Sequence, residues 1–312
     1  MKIFREFPFQ VEDKPRAIAL GFFDGLHLGH QKLINEMITI SKTNNLTATV
    51  FTFNDHPESK FKDNFKFPGL IQSFDLRALK LQEMGVDEAF FAPMISQVKE
   101  ISAYDFFHEY LVGQFRMKAL IVGQDARFGH KGLGNVELLK QWTKETDVEL
   151  IIVGDVKVDA QKISSTLIRQ LIETGQIKKA NQYLGYNYII RGKVIHGKKL
   201  GRTLGFPTIN IIFDPYLVKP RFGVYMSRVK YNDHLYPAIT SIGTNPTVSS
   251  SSQIKVETFI YDKEIDLYDE AVFVELLDFI RPEIEFDSVQ SMKERILLDL
   301  ELVKKMHQQS NN

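Results

Sequence analysis

Apolar and polar residues follow two different rhythms along the chain. In the first part, short runs of β-branched and other apolar residues alternate with segments whose apolar positions recur every three or four residues, as on one face of a helix. The predicted strands cover residues 16–20, 46–53, 88–91, 119–122 and 148–153. The predicted helices cover residues 31–43, 74–84, 102–114, 136–146, 164–173 and 176–184. Strands separated by helices predict a parallel sheet built from βαβ units, that is, an α/β domain.

The rhythm changes after Tyr186, where short strand-like segments are separated by Gly, Pro and Asn. These segments are "YIIRGKVI", "PTINIIF", "GVYMSRVKY", "LYPAITSI", "IKVETFIY" and "AVFVELLDFI". Their spacing predicts a closed antiparallel β-barrel, and residues 288–307 predict a terminal helix with one apolar face. We therefore predict two domains, residues 1–184 and residues 185–312.

Composition narrows the classes of function. The chain has 312 residues, and its 39 Lys and Arg residues balance its 39 Asp and Glu residues, so no general positive field predicts binding to nucleic acid or to an anionic membrane. There is no cysteine, which excludes disulfides, thiolate catalysis and cysteine-based zinc sites. No apolar run reaches the roughly 18 residues of a membrane span, and the first 16 residues lack the apolar core of a secretory signal. We expect a cytoplasmic protein, whose oligomeric state the sequence does not specify.

The first candidate site is the stretch "GFFDGLHLGH", residues 21–30, which joins the first predicted strand to the first helix. Gly21 and Gly25 would let the backbone approach a ligand closely, and the helix start near Gly29 offers unpaired amide groups suited to phosphate. His27 and His30 could donate hydrogen bonds to phosphate oxygens. A metal site is the alternative, but the segment adds only Asp24 as a further ligand. An ordinary turn is the other alternative.

Two later segments bear on the same question. "VGQDARFG", residues 122–129, follows another strand end and contains Asp125. "KISSTLIR", residues 162–169, places hydroxyl groups and a guanidinium at a helix start, where they could form a second anion site. Those residues are Ser164, Ser165, Thr166 and Arg169. Taken alone, "ISST" is better explained as an ordinary helix cap.

The second domain opens with a basic, glycine-rich segment, residues 192–211. Its glycines and cations could wrap a triphosphate, although a basic hairpin explains the residue types equally well. Thr208 and Asn210 lie two residues apart on one strand face, and their oxygens suit Mg²⁺. Glu257 lies in a β-branched strand and is the candidate general base, although the pattern alone favours a glutamate that faces solvent.

The motifs of the first domain resemble those of a known family. "GFFDGLHLGH", "HP" at residues 56–57, "VGQDARFG" and "ISSTLIR" occur in the order found in the Rossmann-like nucleotidylyltransferase module of bacterial bifunctional riboflavin kinase/FAD synthetases. The resemblance implies transfer of AMP from ATP to FMN, with FAD and pyrophosphate as products. The implied catalytic residues are His27 and His30, and His56 and Asp125 are implied near the flavin and nucleotide. The residues implied in ATP binding are Gly21, Phe22, Asp24, Gly29, Ser164, Ser165, Thr166 and Arg169.

The second domain resembles the riboflavin kinase module of the same family. The matching segments are "GKVIHGKKLGRTLGFPTIN", "GVY", "SIGTNPT", "VET", "DLY" and "FIRPEIEF". They imply phosphorylation of riboflavin to FMN by ATP and Mg²⁺, with Thr208 and Asn210 on the metal, Glu257 as the base and Arg281 near the flavin. The residues implied in ATP binding are Gly192, Lys193, Gly197, Lys199, Gly201, Arg202 and Pro207.

Four positions depart from the family pattern. Asp55 and Phe259 replace a usual Pro and His, and Ala126 and Asp269 replace a usual Phe and Gly. They motivate two alternatives to the bifunctional enzyme. One is a paralogue with a weakened module or an altered flavin or nucleotide specificity. The other is a non-catalytic flavin-sensing regulator.

Overall fold

The computed structural model describes residues 1–54, 68–197, 205–244, 253–263 and 265–310. The chain divides into two compact units, Met1–Ser165 and Thr166–Asn312. The boundary predicted between residues 184 and 185 divides the chain by activity and not by compactness. That boundary stays a prediction. No helix in the described ranges is both long enough and apolar enough to cross a membrane.

The first unit is built on a six-stranded sheet in which every neighbouring pair of strands is parallel. Its strands are β1 (Lys2–Phe4), β2 (Arg16–Leu20), β3 (Thr47–Phe53), β4 (Glu88–Ala92), β5 (Met117–Gly123) and β6 (Glu149–Val153). A two-stranded hairpin, β7 (Lys157–Val158) and β8 (Gln161–Lys162), follows. The predicted parallel sheet is confirmed. The edge strand β1 and the hairpin were not predicted, because two or three residues are too few to reveal a period.

The helices lie close to their predicted positions, apart from the short helix Ser96–Lys99, which was not predicted. They are α1 (Leu28–Asn44), α2 (Phe74–Glu83), α3 (Ser96–Lys99), α4 (Ala103–Asp105), α5 (Val136–Trp142), α6 (Ser165–Glu173) and α7 (Ile177–Leu184). Helix α4 continues as a π-helical segment, Phe106–Gln114, and α5 tightens into a 3-10 turn at Thr143–Glu145. The single helix predicted over residues 136–146 is therefore a helix and a turn of different pitch, which periodicity alone does not separate.

The central strand β2 is buried along its whole length. Ile18 and Leu20 point into one apolar core, and Ala17 and Ala19 point into the core on the other face, where α1 packs. The strand order is β1-β4-β3-β2-β5-β6, so the chain leaves β2 towards β3 on one side and later reaches β5 on the other. In open parallel sheets, ligands bind beyond the carboxyl ends of the strands at such a reversal.

The second unit is built on a six-stranded antiparallel sheet of order β10-β13-β12-β11-β14-β9. Its strands are β9 (Tyr188–Lys193), β10 (Thr208–Ile212), β11 (Gly223–Tyr231), β12 (His234–Thr244), β13 (Ile254–Ile260) and β14 (Ala271–Pro282). The two edges meet at one bridge, where the Ile195 amide donates to the Asn210 carbonyl at 2.9 Å. The predicted barrel is confirmed, with this single bridge joining its edge strands within the described residues.

The terminal helix α8 (Val289–Ser310) covers one face of this sheet. Its Val303, which is fully buried, packs with Val224 and Met226 of β11 and with Ile239 of β12. Burying these side chains contributes roughly 1.5–3 kcal/mol each to folding. The helix is therefore packed firmly against part of the sheet.

Candidate active sites

The first unit has a cleft of about 230 Å³ at the carboxyl edge of its sheet, where the order of strands reverses. The polar and glycine residues that line it come from three loops and the hairpin. They are His27, Gly29, His30, Gly123, Asp125, Gly154, Asp155, Lys162, Ser164 and Ser165. The cleft therefore brings together residues from the three segments that sequence reasoning singled out in this domain.

The loop after β2 has a fixed and unusual backbone. Phe23 and Gly25 have φ values of 52° and 79°, and a Cβ atom at residue 25 would lie 2.9 Å from the Ile71 side chain. The buried Asp24 carboxylate accepts hydrogen bonds from the backbone amides of Ile71 and Gln72 at 3.0 and 3.3 Å. Asp24 thus holds the loop to the segment before α2 instead of completing a metal site with the histidines. A direct contact between Asp24 and ATP stays a prediction.

The two histidines are positioned by the start of α1. His27 caps the helix, and its Nδ1 accepts a hydrogen bond from the backbone amide of His30 at 3.3 Å. Because Nδ1 accepts this bond, Nε2 is the nitrogen of His27 that can donate to a ligand. The two imidazole rings stack with centroids 3.6 Å apart and planes inclined by 16°. A Cβ atom at Gly29 would lie 3.1 Å from the His27 ring, so glycine leaves room for that ring.

The start of α6 is tied to the same loop. The Ser165 hydroxyl donates to the Asp24 carbonyl at 3.0 Å, and Ser164 precedes the first helical residue and lines the cleft. The start of a helix is the positive end of its dipole. On α6 itself, Thr166 is exposed and Arg169 is buried. Their predicted phosphate contacts stay predictions, as do those of Gly21 and Phe22.

Sequence reasoning missed Lys162. Its Nζ lies 2.9 Å from the Asp155 carboxylate and 3.3 Å from the Asp125 carboxylate, inside the cleft. The hydrogen bond to Asp155 is the main cause that raises the pKa of Lys162 above its usual value. The ammonium group therefore stays positively charged. Lys162 stands next to "ISST" in the sequence, but only the β7–β8 hairpin turns it towards the two acids.

The second unit has a cavity of about 240 Å³ between its sheet and α8. Its lining is mainly apolar, with an acid, two hydroxyls and an ion pair. The lining residues are Phe206, Thr208, Val224, Ile239, Ser241, Glu257, Phe259, Arg281, Phe286, Met292, Ile296 and Asp299. The predicted residues Thr208, Glu257 and Arg281 therefore share one cavity.

The strand register explains how these residues meet. Asn210 pairs with Glu257, Glu257 with Ser241, Ser241 with Val224, and Val224 with Arg281. Directly opposed residues of antiparallel strands point to the same face, so the five side chains form one row across five strands. Glu257 is thus a half-buried acid facing a cavity, which the alternation of its own strand could not reveal.

A second cavity, of about 580 Å³, lies beside the first and shares Thr208 with it. Its other polar and turn residues are Gly205, Pro207, Lys263, Asp266 and Tyr268. The Tyr268 ring stacks on His196 with centroids 4.0 Å apart. Sequence reasoning predicted Pro207 here and missed Lys263 and Tyr268.

The glycines that open this domain have distinct roles. A Cβ atom at Gly197 would lie 2.5 Å from Nδ2 of Asn210, and one at Gly192 would lie 2.0 Å from the Ile211 side chain. Both positions therefore require glycine because other residues pack against them. Lys193 forms an ion pair with Asp269 at 2.8 Å. Contacts of Gly192, Gly197 and Lys193 with ATP stay predictions.

Several predicted site residues fall in segments that the structure does not describe: His56, Lys199, Gly201 and Arg202. Within the described ranges, no group of three or more His, Cys, Asp or Glu residues could hold a metal ion. Thr208 and Asn210 offer other kinds of oxygen ligand, and their predicted role in binding Mg²⁺ stays a prediction.

A parallel sheet with a histidine-bearing loop at its reversal point, joined to an antiparallel barrel with an acid-bearing cavity, is the arrangement expected of a two-module transferase. The family model described as FAD synthetase matches residues 9–167, and the model described as riboflavin kinase matches residues 184–307. The chain belongs to the family of bifunctional riboflavin kinases/FMN adenylyltransferases.

Relatives of this family match over nearly the whole chain. The bifunctional riboflavin kinase/FMN adenylyltransferase of Listeria monocytogenes is 35% identical, over 90% of this chain and 88% of the relative. The protein of the same name from Escherichia coli K12 is 32% identical, over 93% and 92%. A crystal structure named as a macrolide-efflux protein from Streptococcus pneumoniae superposes with a TM-score of 0.87 at 32% identity, covering 97% of this chain and 99% of that one.

Proposed function

We propose that this chain makes FAD from riboflavin in two ATP-dependent steps. The barrel unit phosphorylates riboflavin to FMN, and the parallel-sheet unit transfers AMP from a second ATP to FMN, releasing pyrophosphate. The observation that carries the proposal is that the chain matches both family models and has, in each unit, a separate cavity lined by predicted site residues. The efflux name belongs to the similar Streptococcus protein and adds no activity here.

In adenylyl transfer, an oxygen of the FMN phosphate attacks the α-phosphorus of ATP, and pyrophosphate leaves. The enzyme needs no covalent intermediate, because its task is to position the substrates and to neutralise the negative charge that develops. Nε2 of His27 and the ring of His30 are the donors that we assign to the ATP phosphates. The start of α1 adds oriented amides. Lys162, held by Asp125 and Asp155, supplies the remaining cation.

We expect Lys162→Met to lower kcat/KM for FAD formation by about tenfold or more, because a charge-assisted hydrogen bond to phosphate contributes roughly 1.5–3 kcal/mol. Steady-state kinetics with FMN and ATP measure this effect. Lys157→Met is the matched control, since Lys157 is an exposed lysine opposite Lys162 in the same hairpin. Equal effects of the two substitutions would remove Lys162 from the proposed site.

In the kinase step, we assign Glu257 as the base that accepts the proton of the riboflavin 5′-hydroxyl as that oxygen attacks the γ-phosphorus of ATP. The 240 Å³ cavity takes riboflavin, and the 580 Å³ cavity takes ATP. Thr208 lines both cavities, so it marks the place where the phosphoryl group crosses between them. The two aromatic rings of His196 and Tyr268 provide a stacking surface at the ATP cavity.

The residues on β10 fit Mg²⁺. Thr208 and Asn210 lie on one face of the strand and offer hydroxyl and amide oxygens, which are hard ligands. Nδ2 of Asn210 donates to the Thr208 carbonyl at 3.3 Å, and this bond restrains the side-chain amide. When bound, Mg²⁺ neutralises and orients the ATP phosphates.

The whole proposal is tested by incubating the protein with riboflavin, ATP and Mg²⁺ and separating the flavins by chromatography. We expect FMN to appear first and FAD to follow, and we expect excess EDTA to stop FMN formation. FMN without FAD, or the reverse with added FMN, would identify a paralogue with one inactive module. Flavin binding without either product would identify a non-catalytic flavin-sensing regulator.

The proposed substrates riboflavin, FMN and ATP are all small molecules, in keeping with the enzyme family. A cytoplasmic location and the lack of a nucleic-acid partner stay predictions. The oligomeric state is left open.

A further inference from the structure

We propose that Asp299 sets the affinity of the kinase cavity for the flavin ring, by holding the Arg281 guanidinium in place at the far end from Glu257. The proposal rests on the kinase function stated above. It adds a positioning residue from α8, which carries none of the motifs of the family resemblance.

The row of side chains across the sheet gives the cavity a direction. Glu257 and Arg281 lie on strands three places apart, so the path between them along the sheet is about 14 Å, given a strand spacing of about 4.8 Å. That span is comparable to riboflavin from its 5′-hydroxyl to the far edge of its ring. Ser241 and Val224 lie between the two ends. With the hydroxyl at Glu257, the ring system extends towards Arg281.

The rest of the cavity lining suits a flat apolar ring. Ile239 and Phe259 come from the sheet, and Met292 and Ile296 come from α8. The ring of Phe206 meets that of Phe259 edge to face, with centroids 5.6 Å apart. Apolar walls of this kind bind the ring without fixing its rotation, so a polar group at the end of the cavity is needed to orient its carbonyl groups.

Asp299 holds the Arg281 guanidinium, which is a polar group at this end of the cavity. Its carboxylate is 2% exposed and accepts hydrogen bonds from Nε of Arg281 at 2.7 Å and from Nε of Arg295 at 3.0 Å. Nη1 of Arg281 donates to the Pro282 carbonyl at 2.9 Å. Among the described residues, Nη2 of Arg281 has no hydrogen-bond partner, so it remains available to a carbonyl oxygen of the flavin.

The two arginines that bind Asp299 differ in position. Arg281 lines the cavity, whereas Arg295 is one turn away on α8, is 41% exposed and does not line it. Only the bond to Arg281 joins α8 to the sheet, because Arg295 and Asp299 both lie on α8. If Asp299 only anchored the helix, D299N would lower the unfolding temperature and raise the KM values for riboflavin and ATP alike. If Asp299 positions Arg281 for the flavin, D299N changes flavin affinity alone, and R295Q controls for the loss of an ion pair that does not reach the cavity.

The test compares Asp299→Asn with Arg295→Gln in the full chain. We expect D299N to raise KM for riboflavin and the Kd of lumichrome, which is the ring without the ribityl chain, by about tenfold, as for loss of a charge-assisted hydrogen bond. We expect kcat, KM for ATP and FAD formation from FMN to change by less than about threefold on the same energy scale. R295Q is expected to leave all of these values within that range.

A double-substitution cycle keeps the proposal testable if D299N lowers stability. Arg281→Lys keeps the charge but loses the Nε donor, so R281K alone should raise KM for riboflavin. Because both changes break one interaction, the double variant should be no worse than R281K alone. Equal shifts in D299N and R295Q, or additive shifts of R281K and D299N, would overturn the role of Asp299. A wild-type protein that makes no FMN would instead overturn the kinase function.

Discussion

Replacing Glu257 with Gln is expected to lower kcat for FMN formation by about 10²–10⁴-fold, the usual contribution of a general base. Glutamine has the same size and can still accept a hydrogen bond, but it cannot take the proton of the 5′-hydroxyl. Conversion of FMN to FAD should be unchanged, because that reaction uses the cleft of the other unit. The measurement is steady-state formation of each product, followed separately with riboflavin and with FMN.

The control for this substitution is Glu270→Gln, which removes an exposed glutamate from the same unit. We expect E270Q to retain both activities. The assignment of Glu257 fails if E257Q keeps FMN formation within about threefold of the wild type, a change of less than 1 kcal/mol. It also fails if E257Q loses FAD formation in equal measure, because one substitution would then act on two sites.

Most of the strands and helices could be predicted from the sequence. Strand β2 and strand β11 were predicted at their observed bounds, because buried apolar runs end at a polar or glycine residue. The π-helical segment Phe106–Gln114 was not predicted, since its apolar spacing resembles that of an α-helix. Short elements such as β1 depend on a neighbour that is distant in the chain: Ile3 pairs with Ala89. Local pattern therefore identifies long elements and misses those stabilised only by tertiary pairing.

The sites were predicted less evenly. Local motifs placed His27 and His30 correctly at the start of a helix, because the stretch between a strand and a helix is visible in sequence. Lys162 was missed because its partners Asp125 and Asp155 approach it only through folding. Asp299 was missed for the same reason: it is 18 residues from Arg281, and its helix offers no motif. Side chains that act by orienting other side chains leave little signal in a single sequence.

The structure shows what surrounds two of the residues that depart from the family pattern. Phe259, where the family usually has His, lines the proposed riboflavin cavity and adds apolar surface on the strand that carries Glu257. Asp269, where the family usually has Gly, has a φ of 67° and pairs with Lys193. That ion pair holds the pKa of Asp269 below its usual value, so the carboxylate stays charged. Phe259 is therefore the departure from the family pattern that lies in the proposed riboflavin cavity.

Replacing His30 with Ala is expected to lower kcat for FAD formation by about 10²–10³-fold, the loss typical of removing one donor from a site of developing charge. The backbone amide of residue 30 remains, so its hydrogen bond to Nδ1 of His27 can persist. The substitution therefore removes the His30 imidazole, which stacks on His27, without breaking the cap of α1. FMN formation from riboflavin should be unchanged on the same protein, which gives an internal measure of active enzyme.

His30→Gln separates hydrogen bonding from ring stacking. Glutamine retains an N–H donor but cannot stack on His27, whose ring lies 3.6 Å from that of His30. If the donor is what the reaction requires, H30Q should recover about tenfold of the activity that H30A loses, which corresponds to a hydrogen bond of about 1.4 kcal/mol. If H30Q is as inactive as H30A while both variants unfold at the wild-type temperature, the stacked pair itself is required. Full FAD formation by H30A would show that the ATP phosphates are bound elsewhere.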